Sequence, residues 1–250
     1  MCGIAGIFNP ERHEINWDHV FDLWDGISDR GKMASGMAWV YGPEDDLKVK
    51  IMKSPRTPKQ MEDFMGKMAR KDKRPRIIIM HTRYATQGSI KDNRNNHPVT
   101  VENIILTHNG VIYNDDEVFN QLGVKRAYDV DTEAIATGLE MKGIDWVAEW
   151  VWGSMSLAWL DRDNLGQLNL FTNGENPLVF SRLEDQPSIL VYASCSWHLD
   201  ESKFDLHQTL FAMPYTYYYT QEGQLFKRNI TTYDTMVDGV PAPQQPYRFG

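Results

Sequence analysis

Cysteine is scarce: the 250 residues contain only Cys2 and Cys195, too few for a disulfide framework. With no tight Cys/His spacing, they also give no structural zinc site. A positive charge excess is absent too. The formal net charge is −8, which argues against a nucleic-acid-binding surface. The one basic cluster, Lys67 to Arg76, reads as a solvated helix end. Long apolar runs are missing: nothing approaches the roughly 18 residues of a membrane span. The first residues, MCGIAGIFNPERHE, lack a basic leader region and turn polar early, so they are not read as a secretory signal. These absences together point to the cytoplasm.

An ordinary globular composition is what remains, with 42% hydrophobic and 24% charged residues. MCGIAGIF reads as a strand. Val20, Phe21, Trp24 and Ile27 are spaced as one face of a helix. GMAWVYG and LKVKIM read as strands. Residues Pro58 to Lys71 read as a helix capped by Thr57, with Met61, Phe64, Met65 and Met68 on its apolar face. RIIIMHTRYAT begins as a fully buried strand. NIILTHNGVIYN carries a hairpin signal, with Asn109-Gly110 as the turn. A helix opens on Asp131 and closes at Gly143, and a second one follows through Trp146 and Trp150. From Ser154 onward the pattern is one of repeated short strands. The segment after Asp234 is rich in Pro and Gln and reads as an irregular surface tail. The arrangement predicts an α+β fold with two antiparallel sheets and helices packed outside them.

Cys2 directly follows the initiator methionine. Removal of Met1 would place a thiol and a free α-amine on one residue, and an α-amine with a pKa of about 7.7–8.0 can take the thiol proton. The bland alternative is a small residue packing the first strand. Arg83, at the end of a buried strand, suits a bidentate grip on a carboxylate or a surface ion pair. Asp131 reads locally as a helix N-cap. His81 and His108, at apolar strand ends, read as core histidines without a catalytic role.

Several segments in order are similar to the class II glutamine amidotransferases, whose glutaminase domain has the N-terminal-nucleophile hydrolase fold. They are Cys2-Gly3-Ile4-Ala5-Gly6-Ile7-Phe8, Asp29-Arg30-Gly31, His81-Thr82-Arg83-Tyr84-Ala85-Thr86, His97-Pro98-Val99, His108-Asn109-Gly110 and Asp131-Thr132-Glu133. A looser likeness runs to Tyr192-Ala193-Ser194. The resemblance implies a four-layer α/β/β/α sandwich, with a glutaminase domain over residues 2–234 and a tail over 235–250. It implies Cys2 as nucleophile, Asn109 and the Gly110 N–H as oxyanion donors, and Arg30 beside the cysteine. Arg83, Tyr84, Thr86 and Asp131 fall on substrate-binding positions.

The same resemblance implies hydrolysis of glutamine through a γ-glutamyl thioester, with no cofactor and no metal. Either a separate synthase subunit accepts the ammonia or the chain is a free-standing amidohydrolase. A γ-glutamyl peptide hydrolase and a catalytically silent binding subunit are the competing functions. Gln87 and Cys195 depart from the family pattern, which has His and Asp there; Cys195 reads as a buried packing residue.

Overall fold

A computed structural model of the chain describes residues 1–230 and the backbone of 236–237 and 240–241. Twelve of the sixteen residues of the predicted tail lie outside the described residues; the other four pair as two short strands where irregular chain was expected. The chain begins with β1 (Gly3–Phe8), α1 (Trp17–Gly26), β2 (Ala34–Tyr41), β3 (Lys48–Ser54), α2 (Pro58–Ala69) and β4 (Ile77–Arg83). Then come β5 (Val99–Val101), β6 (Ile104–Ile112), α3 (Asp115–Leu122), α4 (Thr132–Lys142) and α5 (Ile144–Trp150). The strand-rich remainder is β7 (Gly153–Asp161), β8 (Asn169–Thr172), β9 (Val179–Arg182), β10 (Leu190–Ala193), α6 (Ser196–Asp200), β11 (Leu210–Phe211), β12 (Thr216–Gln221) and β13 (Gln224–Asn229).

Two large antiparallel sheets result, one of seven strands in the order β11-β9-β10-β1-β4-β2-β3 and one of six in the order β13-β12-β8-β7-β6-β5, beside a two-stranded ribbon of Met236–Val237 and Val240–Pro241. Strand periodicity decides how they stack. Ile4 and Phe8 of β1 and Ile77 and Ile79 of β4 join Ile105, Ala158 and Leu170 of the other sheet in one buried cluster between the sheets. The alternate residues Ala5, Ile7, Ile78 and Met80 face outward and are covered by Trp17, Phe21 and Trp24 of α1 and Met61 and Met65 of α2. On the far side, Leu106, Leu157 and Trp159 are covered by Val118, Ile135 and Val147 from α3, α4 and α5. This is the expected four-layer α/β/β/α sandwich. Among the described residues no helix is long and apolar enough to cross a membrane.

Local signals explain several elements. Thr57 and Gln60 form a reciprocal capping box at α2 (Gln60 N to Thr57 Oγ1 3.4 Å, Thr57 N to Gln60 Oε1 3.0 Å). Asp131 caps α4, and Gly143 ends it at φ 83°. Two expectations are overturned. Phe64 is 64% exposed instead of lying on the buried face of α2, which is formed by Met61, Met65 and Ala69 with Met68 at its edge. Asn109-Gly110 is no hairpin turn: β6 runs straight through it, with Asn109 opposite Ser156 and Gly110 opposite Met155 of β7. Pairing along the whole of β7 outweighs the local turn preference.

Candidate active site

Register and strand parity collect the site at one end of the gap between the sheets. Gly3 pairs with Thr82, so one further step brings Cys2 abreast of Arg83, which pairs with Ala34 on its other side. Cys2 shares parity with Ile4, Arg83 with Ile79, and Asn109 with Ile105, so all three take the inter-sheet face. Strands β1 and β6 touch across the gap. The half-buried Cys2 thiol donates to the Tyr84 carbonyl at 3.6 Å. Burial pushes its pKa up; the Tyr84 contact and the charge of Arg83 oppose this, and the charge of Asp131 adds to it. The group is therefore a protonated thiol that needs a base.

Arg83 is 2% exposed and donates only to neutral acceptors: Nη1 to Asn96 Oδ1 at 2.8 Å, and Nη2 to the Gly88 carbonyl at 3.0 Å and to the Gln87 carbonyl. No carboxylate pairs with it among the described residues, so it is not a surface ion pair. Such a buried cation is a ready partner for an anionic ligand. Asn96 is itself anchored by Lys53, whose Nζ donates to the Asn96 and Pro98 carbonyls at 2.7 and 2.8 Å. Burial pulls the Lys53 pKa down to about 8.

Asp131 is 4% exposed and does two structural jobs. Its Oδ1 caps Thr132 N at 2.9 Å, and its Oδ2 accepts from Ile112 N at 2.9 Å, tying α4 to the end of β6. Asn109 is fully buried, yet neither its Oδ1 nor its Nδ2 has a hydrogen-bond partner among the described residues. Gly110 is required by a close approach: a Cβ there would stand 1.8 Å from the Ser154 carbonyl oxygen.

Arg30 lies beside Cys2, but on its backbone. Its Nε donates to the Cys2 carbonyl at 2.8 Å, and its Nη1 to Cys195 Sγ at 3.1 Å. Cys195 is buried, as expected, and its thiol is a contact of this arginine as well as a packing group. The Tyr84 ring and Thr86 sit exposed on the loop after β4.

Sequence reasoning missed a histidine network beneath the site. His81 stacks on His97 at 3.9 Å, and the His81 Nε2–His108 carbonyl contact of 3.1 Å joins the two sheets. Thr132 Oγ1 sits 2.9 Å from His97 Nε2 and 3.0 Å from His108 Nδ1. Only the placement of His81, His97 and His108 at or beside strands hinted at it. All three rings are buried, as expected for His81 and His108. Burial pushes the pKa of His81 and His97 well below, and that of His108 below, the usual imidazole value near 6.5.

The folded protein therefore keeps these rings neutral, while the unfolded chain takes up protons below about pH 6.5. Their contribution to stability is complete above that pH and is lost as pH falls, by up to about 1.4 kcal/mol per pH unit per histidine. Thermal melts from pH 8 to 5 are expected to show a plateau and then a steep fall below about 6.5. Burial also lowers the pKa of His198, so His97→Gln is expected to remove about a quarter of that slope; a flat profile down to pH 5 would refute the assignment.

Comparison with known proteins bears on the same residues. Residues 81–201, from His81 through α6, match the family described as Glutamine amidotransferase domain. The 7-cyano-7-deazaguanine synthase of Saccharolobus solfataricus is 25% identical over 219 residues, covering 82% of this chain and 45% of that protein. The glutamine--fructose-6-phosphate aminotransferase of Caulobacter vibrioides is 34% identical over 139 residues, covering 54% of this chain and 21% of that protein. The chain spans less than half the length of the curated relatives it matches. Among solved structures, the glutamine PRPP amidotransferase from B. subtilis superposes with a TM-score of 0.72 at 18% identity, over 92% of this chain and 49% of that one. At such identity the likeness speaks for the fold alone. Residues 81–201 thus carry a glutamine amidotransferase domain match, set in a four-layer sandwich whose fold is that of the PRPP amidotransferase structure.

Proposed function

We propose that residues 2–234 form a glutaminase that hydrolyses the side-chain amide of glutamine through a γ-glutamyl thioester on Cys2. One observation carries the reading. A thiol, a buried guanidinium without a carboxylate partner among the described residues, a buried carboxylate and an unsatisfied buried amide gather at one end of the gap between the sheets. That set matches the demands of glutamine: Arg83 for its α-carboxylate, Asp131 for its α-ammonium, Asn109 and the Gly110 N–H for the oxygen that becomes negative. Tyr84 and Thr86 line the approach.

With Met1 removed, the Cys2 α-amine takes the thiol proton, and sulfur attacks the carboxamide carbon. The collapsing intermediate expels ammonia, which carries that proton away. Water then cleaves the thioester, giving glutamate and restoring the thiol. Arg30 holds the Cys2 carbonyl, fixing the residue that supplies both nucleophile and base. This half-reaction uses no cofactor. The ammonia goes to a separate synthase subunit, and the chain works in the cytoplasm without nucleic-acid or membrane partners.

The test is the intact mass of the purified protein before and after 6-diazo-5-oxo-norleucine, a glutamine mimic that alkylates such nucleophiles. We expect a mass lacking Met1 and a single adduct, abolished by Cys2→Ala and slowed by excess glutamine. Any retained Met1 is first removed with methionine aminopeptidase. A processed protein that takes no adduct would sink the glutaminase reading in favour of another γ-glutamyl substrate or a silent subunit.

A further inference from the structure

A second concavity lies one strand away from the candidate oxyanion donors. It is a cavity of about 410 Å³ formed where α5 turns into β7, within the roughly 300–1,000 Å³ range of ligand sites. Its floor includes Gly153 and Ser154 of β7, which pair with Ile112 and Val111 of β6, the strand of Asn109 and Gly110. Two rings flank its mouth, Tyr113 at 77% and Trp152 at 64% exposure. Two carboxylates, Glu149 and Glu175, line it, and neither makes an ion pair or a side-chain hydrogen bond among the described residues.

The walls are held in place before anything binds. Tyr113 N donates to the Trp152 carbonyl at 2.9 Å, fixing the ring-bearing segments together. Asn114 brackets the same turn, accepting from Trp152 N at 2.8 Å and donating to the Trp150 carbonyl at 2.9 Å. On the opposite side, Asn173 donates to the Gly153 carbonyl at 2.7 Å and accepts from Met155 N at 3.1 Å and Glu175 N at 3.2 Å. A concavity pinned on both sides loses little freedom when it is filled.

We propose that this cavity is a docking socket for an arginine side chain of a partner protein, the ammonia-accepting subunit. The proposal rests on the glutaminase reading for the identity of the partner, but not for the chemistry of the socket. A guanidinium is the group that satisfies both kinds of wall: its flat face stacks on Trp152 and Tyr113, and its N–H fork meets carboxylates. A lysine ammonium supplies the charge without the plane. The partner is the synthase subunit of the proposed function; the 7-cyano-7-deazaguanine synthase relative matches this chain over 45% of its own length. A carboxylate-lined socket beside the β6 strand end is complementary to a basic anchor on that subunit. Occupation presses on Gly153 and Ser154, and Ser154 O is the atom that leaves Gly110 no room for a Cβ, so docking is felt at the oxyanion donors.

The test uses the intact chain and Nα-acetyl-L-arginine-N-methylamide, a peptide-like arginine, with tryptophan fluorescence as readout and the rate of Cys2 alkylation by 6-diazo-5-oxo-norleucine as a second one. We expect a saturable quench that Trp152→Leu removes and that Glu149→Gln combined with Glu175→Gln weakens at least tenfold. The alkylation rate is expected to change at least threefold on saturation, while the variants alone are alkylated at the unmodified rate. The corresponding lysine derivative is expected to bind at least tenfold more weakly. No saturable quench, or one indifferent to the carboxylates, overturns the socket. Equal binding of the lysine derivative overturns the guanidinium assignment. Binding of free arginine but not of the blocked derivative makes it a small-molecule site and overturns the partner. Alkylation without quench removes the socket and leaves the glutaminase reading intact; quench without any alkylation does the reverse.

Discussion

Asn109→Ala is expected to lower kcat by about 10²–10³-fold, the cost of losing one oxyanion donor, while leaving the melting temperature unchanged or higher. The two halves of this expectation have a single cause. The Asn109 amide is fully buried with both polar atoms unsatisfied among the described residues, and each such atom costs about 1–3 kcal/mol against a solvated reference. Truncation removes that penalty and gives back only the few contacts of a short side chain. In the proposed mechanism the same Nδ2 finds its partner in the oxygen that turns negative when Cys2 attacks. An interaction made only in the transition state is lost from kcat and kcat/KM together and leaves KM almost unmoved. Steady-state kinetics with glutamine and a thermal melt of the same preparation check both halves. A kcat within tenfold of the parent would exclude Asn109 as a donor. A melting temperature lowered by more than about 3 °C, or about 1 kcal/mol at this size, would mark it as a packing residue.

The unsatisfied amide could not be read from the sequence, because nothing local distinguishes a buried asparagine from a turn asparagine. Periodicity did deliver the frame. The apolar run at 77–80 identified β4 and placed Arg83 at its end, and Thr57, Asp131 and Gly143 marked helix ends by chemistry confined to three or four residues. What escaped was either short or decided at a distance. β5 has three residues and no room to show a period. α3 has eight, although an acidic first turn and Gly123 in the left-handed region were there to be read. The surroundings of Arg83 come from Asn96, and those of His108 from Thr132 and Ser154, residues 13 to 46 positions away. The family motifs named Cys2, Arg83 and Asp131, whose charges lie within reach of one another; that Arg83 has no carboxylate partner among the described residues, and that Arg30 grips a carbonyl and the Cys195 thiol instead of the Cys2 thiol, only the packed sandwich could tell.

The Asn-Gly pair is where local and tertiary preferences part, and Gly110→Ala separates them. Were Asn109-Gly110 a hairpin turn, alanine would cost only the left-handed backbone penalty, about 1–2 kcal/mol. In the strand, the added Cβ would stand 1.8 Å from Ser154 O and 2.4 Å from His108 Nε2. Neither can swing aside: the first is backbone of the paired strand, and the second is an imidazole held between Thr132 Oγ1 and that same carbonyl. β6 and β7 must part at the point where they deliver the Asn109 amide and the Gly110 N–H. The expected stability loss is about 3 kcal/mol or more, in the range of severe overpacking. Glutaminase turnover is expected to fall at least about 10³-fold, since both donors are displaced together. Gly123→Ala is the matched control, because that glycine has φ 69° and nothing within 4 Å of a Cβ. It is expected to cost about 1–2 kcal/mol and to leave glutamine hydrolysis unchanged. Denaturant melts and glutaminase assays on the two variants decide it. Equal stability losses would mean that β6 yields to the methyl group; a Gly110→Ala enzyme that still turns over would mean that the oxyanion is held elsewhere than at the end of β6.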